Sequence, residues 1–468
     1  MMQTDTNTTI STDRESRCQA FLRALRATSV AVVGASADPS KLGHQTLRTL
    51  LDGGFGGQLY PINPRAREIL GLRCYPSIDQ LPGRLDLAVV VIPASSVPAV
   101  VAQAGDKGAA ACVVLSGGFR ESGEDDLECE LVMTARRHAT LVIGPNVQGL
   151  AFVPNQLCAL MYPAFSESGP LAVVGQSGSI TAAIGEWAER DGLGLSALVN
   201  LGNEADVDES DVVSWLADEP HTRVIALYLE GVRDGRRFID TASSVAASKP
   251  VIVLKTGRTP AGQRAVASHT ASIAGSDAVF SAACHQFGLL RASDTTGLYD
   301  LSKGLALIRP PAGRRVLAIS SSGGTGALAI DEASRLGLDP VGLPSGYVEA
   351  LKKLGLSPRT SYSNPLDIDS LEAEEFAACA ALAHEYDVAD TILFGMGDPV
   401  FGASSMVEDF LAGCERSALV TYLGGGSTEL DEVIRLHRSG VACYPTPERA
   451  LRALSAVLFW DRHRCLES

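Results

Sequence analysis

Residues 171–192, LAVVGQSGSITAAIGEWAERDG, run from an apolar strand through a turn of small residues into a helical stretch. The same order of strand, turn and helix occurs at residues 29–54, SVAVVGASADPSKLGHQTLRTLLDGG, and at residues 315–337, RVLAISSSGGTGALAIDEASRLG. Strands that alternate with helices predict βαβ units and parallel sheets. In such sheets, ligands bind beyond the carboxyl ends of the strands, beside the N-termini of the following helices. We therefore predict an α/β protein with three such binding turns.

More apolar strand candidates follow each opening and indicate how the chain divides. They include LDLAVVVIPA, AACVVLSGGF and TLVIGPN after the first opening, VIALYLEGV and PVIVLKTG after the second, and TILFGMG and ALVTYLGGG after the third. Irregular sequence before the second opening and an RPPAGRR segment before the third are typical of linkers. The predicted segments are a disordered tail at residues 1–19, with a short helix at its end, and domains at residues 20–155, 156–308 and 313–460.

The composition excludes several classes of protein. The chain has 39 Lys and Arg against 54 Asp and Glu, a net charge of -15, which disfavours a nucleic-acid partner because phosphate backbones need a clustered positive surface. Its ten cysteines form no C-x-x-C pair, so no zinc site is predicted, and a reducing compartment is the simple inference. Neither a signal peptide nor a membrane span is expected, since no apolar run approaches ~20 residues. We expect a cytoplasmic protein without metal ligands or membrane contacts.

The turn VGAS, at Val33–Ser36, is the first candidate site. A strand that ends in small residues exposes backbone N–H groups to a phosphate at a helix N-terminus, and Lys41 follows close by. The dinucleotide pattern G-x-G-x-x-G is absent after Gly34, which disfavours an NAD(P)-dependent oxidoreductase. An ordinary strand-to-helix turn explains VGAS equally well.

The turn GQSGSI, at Gly175–Ile180, is the second candidate. Gln176, Ser177 and Gly178 precede a helix whose dipole favours a tetrahedral oxyanion. A nucleophilic serine is the alternative, but the hydrolase pattern G-x-S-x-G fails by one residue. We favour anion binding at this turn.

His269 and Glu230 are the third candidates. His269 lies within a run of small residues, SHTASIAGS, which would let a ligand or a second protein approach the imidazole. A neutral imidazole can attack a phosphoryl group, although a lone histidine is more often structural. Glu230 ends the apolar strand VIALYLE, where a carboxylate could orient an imidazole or could simply be solvated. The turns GPNVQG and LVNLGNEADVD are compatible with ordinary connections.

Together and in this order, the motifs resemble the ADP-forming acyl-CoA synthetases and, more distantly, the succinyl-CoA synthetase α subunit. The resemblance extends from Ser29 to about Leu458. It implies a Rossmann-like CoA-binding domain followed by two flavodoxin-like domains with parallel sheets. The sequence departs from the family at two places: Ala271 replaces the glycine that usually follows Ser-His-Thr, and Asn200 opens the turn usually written S-L-G-N.

The resemblance also implies roles for individual residues. His269 would carry the phosphoryl group, Glu230 would pair with it, and the turn at Gln176, Ser177 and Gly178 would hold phosphate. The residues implied in CoA binding are Gly34, Ser36, Lys41, Pro93 and Asn146.

The implied reaction converts a small carboxylic acid, CoA and ATP into acyl-CoA, ADP and phosphate through an acyl phosphate and a phosphohistidine. The chain contains no G-x-x-x-x-G-K-S/T sequence. The resemblance implies that ATP and Mg²⁺ are bound by a separate ATP-grasp β subunit, so a hetero-oligomer is expected. A non-catalytic CoA-binding or scaffold protein remains the alternative.

Overall fold

The computed structural model describes residues 3–270, 276–397, 400–424 and 426–467, with the backbone alone for residues 3–13, 267–270 and 466–467. These residues form two compact units. One comprises Met1–Glu189 and Gly194–Arg291, and the other comprises Arg190–Leu193 and Ala292–Ser468.

The first sheet of the first unit is built from strands that are apolar on both faces, as expected for parallel strands covered by helices. Its strands run parallel in the order β2-β1-β5-β6-β7, and a separate short hairpin joins β3 to β4. The strands are β1 (Ser29–Val33), β2 (Gln58–Ile62), β3 (Glu68–Ile69), β4 (Leu72–Arg73), β5 (Leu87–Val90), β6 (Ala111–Val114) and β7 (Leu141–Ile143). The helices are α1 (Gln3–Leu25), α2 (Leu42–Asp52), α3 (Val97–Asp106) and α4 (Asp125–Arg137).

The second sheet has the order β14-β13-β12-β10-β11-β8-β9. Strands β10 to β14 pair in parallel, and the hairpin β8–β9 joins β11 in antiparallel fashion. The strands are β8 (Gly149–Phe152), β9 (Leu157–Leu160), β10 (Ser168–Gly175), β11 (Leu195–Asn200), β12 (Val224–Leu229), β13 (Val251–Lys255) and β14 (Leu290–Arg291). The helices are α5 (Gly178–Arg190), α6 (Glu209–Leu216), α7 (Gly235–Ala246), α8 (Pro260–Thr270) and α9 (Asp277–Gln286).

The second unit contains the third sheet, with the order β17-β18-β15-β19-β20-β21 and β16 beside β15. The strands are β15 (Arg315–Ser320), β16 (Asp339–Pro340), β17 (Ser361–Tyr362), β18 (Leu366–Asp367), β19 (Thr391–Met396), β20 (Ser417–Tyr422) and β21 (Cys443–Tyr444). The helices are α10 (Thr295–Leu307), α11 (Gly323–Arg335), α12 (Ser345–Lys352), α13 (Ala373–Glu385), α14 (Ala403–Ala412), α15 (Gly426–Arg438) and α16 (Pro447–Glu467).

The predicted α/β class with parallel sheets is confirmed. Helix α1 begins at Gln3, within the segment predicted as a disordered tail at residues 1–19. Contacts with residues that are distant in the sequence anchor the C-terminal end of this helix. The Phe21 ring lies 4.8 Å from the Trp215 ring, and Arg17 forms an ion pair of 3.2 Å with Asp206.

Two domain boundaries also differ from the predicted ones. The boundary predicted between residues 155 and 156 separates β8 from β9, although both strands belong to the second sheet. Helix α10, predicted within the domain at residues 156–308, belongs to the second unit. There the Asp300 carboxylate accepts two hydrogen bonds, of 2.6 and 2.7 Å, from the Arg449 guanidinium of α16.

No helix within the described part of the chain combines the length and apolar character required to cross a membrane.

Candidate active site

The carboxyl edge of the second sheet brings two of the predicted motifs together. Strands β10 and β12 are neighbours, and the chain leaves β10 towards β11 on one side and leaves β12 towards β13 on the other. Ligands bind at such a switch point. The backbone N–H of Gln176, the first residue after β10, donates to the carbonyl of Tyr228 in β12 at 3.1 Å. Glu230 directly follows β12. The GQSGS turn and Glu230 are therefore neighbours, as the sequence predicts for motifs at one sheet edge.

Helix α5 begins at Gly178, immediately after this turn. A Cβ atom at Gly178 would lie 2.4 Å from Gln148 Cγ, so a larger residue would push the helix end away from the neighbouring loop. The first N–H groups of an α-helix have no partner within the helix, and together with the helix dipole they attract an anion. The predicted phosphate site at Ser177 and Gly178 is compatible with this geometry and remains a prediction.

The Ser177 hydroxyl lies 3.2 Å from the hydroxyl of Ser179. A serine nucleophile needs a base within hydrogen-bonding distance. Among the residues whose side chains the structure describes, no histidine or carboxylate is hydrogen-bonded to the Ser177 oxygen. This arrangement favours anion binding over a nucleophilic serine.

The Gln176 side chain is hydrogen-bonded on every side within the protein. Its side-chain oxygen accepts hydrogen bonds from the N–H groups of Glu230, at 2.5 Å, and Gly231, at 3.1 Å. Its side-chain nitrogen donates to the Gly231 carbonyl at 2.8 Å and to Glu204 Oε2 at 2.9 Å. An amide offers two donors and two acceptor positions, so all four are occupied. In this structure Gln176 is a brace that holds the loop of Glu230, and its predicted role in phosphate binding stays a prediction.

Glu230 is buried, with 7% of its surface exposed. The Tyr228 side chain is hydrogen-bonded to Glu230 and to Thr256. Burial raises the pKa of Tyr228, and the negative charge of Glu230 adds to that effect, so the phenol stays protonated and donates. The Glu230 side chain is thus held from one side by Tyr228 and its backbone by Gln176.

His269 belongs to helix α8, at Pro260–Thr270. The position of its side chain lies outside the part of the chain that the structure describes, as do residues 271–275, including Ala271. The pairing of His269 with Glu230 stays a prediction.

The predicted CoA residues lie at the carboxyl edge of the first sheet. Gly34 has a φ of +91°, and a Cβ atom there would lie 2.1 Å from the Val91 carbonyl oxygen, so the VGAS turn packs directly against the end of β5. The Ser36 hydroxyl accepts from the Asp38 N–H at 3.0 Å, and Lys41 is exposed immediately before helix α2. Ligands of this sheet are again expected at the β1/β5 switch point.

Pro93 and Asn146 lie at the same edge but further along the sheet. Pro93 precedes a short 3₁₀ turn at Ala94–Ser96, and the preceding Ile92 N–H donates to the Ser116 hydroxyl at 3.1 Å. The Asn146 N–H donates to the Ser116 carbonyl at 3.0 Å. Ser116 therefore ties the loops of Pro93 and Asn146 together beside the SGGF segment.

Asn203 connects the carboxyl edges of the first and second sheets. The sequence did not indicate it as a site residue. Its side-chain nitrogen donates to Glu121 at 2.5 Å and to Glu128 at 2.9 Å. Its side-chain oxygen accepts from Asn146 at 3.4 Å. Its carbonyl accepts from Arg120 at 2.7 Å. An asparagine in a glycine turn after a buried strand was the available signal, but these four partners lie more than fifty residues away.

Comparisons with known proteins show the family of the chain. Residues 28–152 match a family model described as a CoA binding domain, and residues 168–305 match one described as a succinyl-CoA ligase like flavodoxin domain. The chain is 37% identical over 448 residues to the acetate–CoA ligase (ADP-forming) I subunit alpha of Pyrococcus furiosus, with 93% of this chain and 96% of that protein covered. The chain belongs to the ADP-forming acyl-CoA synthetase α subunits.

Longer relatives and solved structures extend this assignment. The acetate–CoA ligase (ADP-forming) I of Archaeoglobus fulgidus is 36% identical over 92% of this chain, and the match covers 62% of that protein. The fold is similar to that of the dinucleotide forming acetyl-coenzyme A synthetase 1 from Ca. Korarchaeum cryptofilum, solved in complex with phosphate and ADP. That similarity has a TM-score of 0.86 and 36% identity, and it covers 95% of this chain and 97% of that one. As a member of this family of acid–thiol ligases, the chain contains the predicted CoA-binding and flavodoxin-like domains.

Proposed function

We propose that the chain is the α subunit of a synthetase that converts a small carboxylic acid, CoA and ATP into acyl-CoA, ADP and phosphate. The observation that carries this proposal is the meeting of three groups at one sheet edge. Glu230 is buried there and helix α5 begins there. Asn203, in the loop that follows β11 at the same edge, is hydrogen-bonded to Asn146 in a loop of the CoA-binding sheet. An acyl phosphate formed at the second sheet would therefore arise beside the loops that hold CoA.

The phosphoryl group would reach the carboxylic acid by way of His269. A nitrogen of the neutral imidazole attacks the γ-phosphorus of ATP, and ADP leaves. The substrate carboxylate then attacks the same phosphorus, which forms the acyl phosphate and returns His269 to its neutral form. The Glu230 carboxylate would accept the N–H of the other ring nitrogen and so orient the imidazole. The N–H groups at Ser177 and Gly178 would stabilise the negative charge on the transferring group.

The last step consumes CoA. Its thiolate attacks the acyl carbon, the bond to the phosphate oxygen breaks, and phosphate leaves as the thioester forms. Gly34, Ser36, Lys41, Pro93 and Asn146 would bind CoA along the edge of the first sheet, with Lys41 as a cationic contact for its phosphates.

ATP and Mg²⁺ would be bound by an ATP-grasp partner subunit. Two relatives support a partner. The P. furiosus protein is named as an α subunit, and the A. fulgidus protein contains sequence beyond the part that this chain matches. All ten cysteines are free thiols, which is compatible with a reducing, cytoplasmic location.

Reconstitution tests this function. The purified chain should form no thioester from ATP, Mg²⁺, acetate and CoA, and addition of the matching ATP-grasp subunit should produce acyl-CoA and ADP in equal amounts. Turnover by the single chain would disprove the division of labour. Failure of the reconstituted pair, with CoA binding retained, would support a scaffold protein instead.

A further inference from the structure

Two buried carboxyl groups face each other beside the candidate active site. Glu204 and Glu209 are 5% and 2% exposed, and their side chains are within hydrogen-bonding reach of each other. Glu204 Oε1 and Glu209 Oε2 are buried, and no N–H or O–H group of the described side chains and backbone donates to them. Two carboxylate oxygens can satisfy each other only through a proton, because both are acceptors when ionised.

The surrounding charges favour this proton. Burial raises the pKa of Glu204, and the neighbouring charge of Glu209 raises it further. Burial, followed by the charge of Asp208, raises the pKa of Glu209 to about 7. Arg233 opposes these effects at Glu204, where it donates to the backbone carbonyl at 2.9 Å.

Arg237 does not neutralise the pair. Its guanidinium is bound to the carboxylates of Asp208 and Asp211. Among the described groups, Arg233 lowers the pKa of Glu204 and Asp208 raises it.

Glu204 connects this pair to Glu230. Its other oxygen, Oε2, accepts from the Gln176 side-chain nitrogen at 2.9 Å, which fixes the orientation of the amide. The Gln176 oxygen is then directed at the N–H groups of Glu230 and Gly231. If the Gln176 amide were rotated by 180°, its NH₂ group would face the N–H groups of Glu230 and Gly231, and its oxygen would face Glu204 Oε2. The acceptor at Glu204 therefore selects the orientation that holds the Glu230 loop.

We propose that Glu204 and Glu209 share one proton and act as positioning residues that hold Glu230 in place through Gln176. This inference rests on the proposed role of Glu230 in phosphoryl transfer. Loss of the proton would leave two negative charges in a buried site, and their repulsion would separate Glu204 from Gln176. Phosphorylation of His269 should therefore decline as the pH rises through the pKa of the pair.

The test compares neutral amides at the two positions. Glutamine at position 204 or 209 still accepts one hydrogen bond and donates another, so it replaces the protonated acid without a titration. Wild-type labelling of His269 by ATP and the partner subunit should fall severalfold with rising pH near neutrality, whereas Glu204→Gln and Glu209→Gln should remain active without this decline. Glu204→Leu should lose about 10-fold or more at every pH, since it cannot accept from Gln176.

A matched control and a second readout separate the possible failures. Glu332→Gln, at a buried carboxylate that is paired with Arg335 and Arg452, should leave the pH profile unchanged. The infrared band of a protonated carboxyl should be present in the wild type at about pH 6 and be lost in both single glutamine variants.

The outcomes are distinguishable. If the wild type is labelled and Glu204→Gln keeps the alkaline decline, the positioning role is overturned. If the infrared band is missing from the wild type, Glu204 and Glu209 do not share a proton. If the wild type is never labelled, both the proposed function and the positioning role are wrong. The infrared spectrum then still shows whether Glu204 and Glu209 share a proton.

Discussion

The second and third sheets contain the same turn with different chemistry. In each, a central strand ends at a switch point and a helix begins two residues after the turn opens, at Gly178 and at Gly323. The Gln176 N–H donates to Tyr228 at 3.1 Å, and the Ser321 N–H donates to Gly395 at 3.0 Å. Because Gly175 pairs with Tyr228 and Ser320 pairs with Gly395, the residues of the two turns correspond one to one.

The two sheets differ in the residues that come after the neighbouring strand. The residue two positions after Tyr228 is Glu230, and the residue two positions after Gly395 is Gly397. Both backbone N–H groups are held by the side chain at the start of the turn. Gln176 accepts from Glu230, and the Ser321 hydroxyl accepts from Gly397 at 3.0 Å. The long amide of Gln176 also reaches Glu204, whereas the short Ser321 side chain does not extend that far. The fold therefore supplies the turn, and a few side chains determine whether it can perform chemistry.

Removal of the Glu230 carboxylate, which has no counterpart at Gly397 in the third sheet, should have the largest effect on activity. Glu230→Gln should reduce acyl-CoA formation by the reconstituted enzyme about 100-fold, because an amide cannot stabilise positive charge on an imidazole as a carboxylate does. The matched control is Asp367→Asn, which removes a carboxylate beside Gly323 in the third sheet. Equal losses in both variants, measured as kcat, would show that the two turns do not differ in function.

The side chains of Gln176 and Ser321 should differ in their contribution to the stability of the fold. Gln176→Ala leaves the N–H groups of Glu230 and Gly231 and one oxygen of Glu204 without a partner. It should lower the free energy of unfolding by about 1–3 kcal/mol. Ser321→Ala removes one neutral hydrogen bond and should cost about 0.5–1.5 kcal/mol. Urea denaturation of each variant measures both values, and a larger loss for Ser321→Ala would contradict the comparison.

The turn in the first sheet is longer than those in the second and third sheets. Helix α2 begins only at Leu42, eight residues after Gly34, so this turn leaves room for a larger ligand than a phosphoryl group. Lys41→Ala should weaken CoA binding by about 1–2 kcal/mol if it makes one charge-assisted phosphate contact. Calorimetry should detect binding of CoA and not of NAD, and equal affinity for NAD would overturn the CoA assignment.

The features that the sequence predicts well are local. The three strand–turn–helix openings are recognisable because buried parallel strands are continuously apolar and each helix starts soon after small residues. Glu230 can be identified as a candidate because it terminates such a strand. Its placement beside the GQSGS turn follows from the topology of parallel sheets.

The features that the sequence misses depend on distant partners. The bracing contacts of Gln176 are not visible in the sequence because its partners, Glu204 and the Glu230 loop, are 28 and 54 residues away in the chain. The pairing of Glu204 with Glu209 depends on burial, which no local pattern reveals. Helix α1 extends through a polar sequence because its end is anchored at Asp206 and Trp215.

If the second sheet carries the covalent phosphoryl transfer through His269, the phosphate should map to that residue. The chain should be incubated with labelled ATP, Mg²⁺ and the ATP-grasp partner and then digested. The label should be acid-labile and base-stable and should map to His269, because protonation makes imidazole a good leaving group. His269→Ala should abolish it, and His138→Ala, at a surface histidine paired with Asp106, should retain it. A label that survives acid, maps to Ser320–Ser322 or persists in His269→Ala would show that His269 does not carry the phosphoryl group.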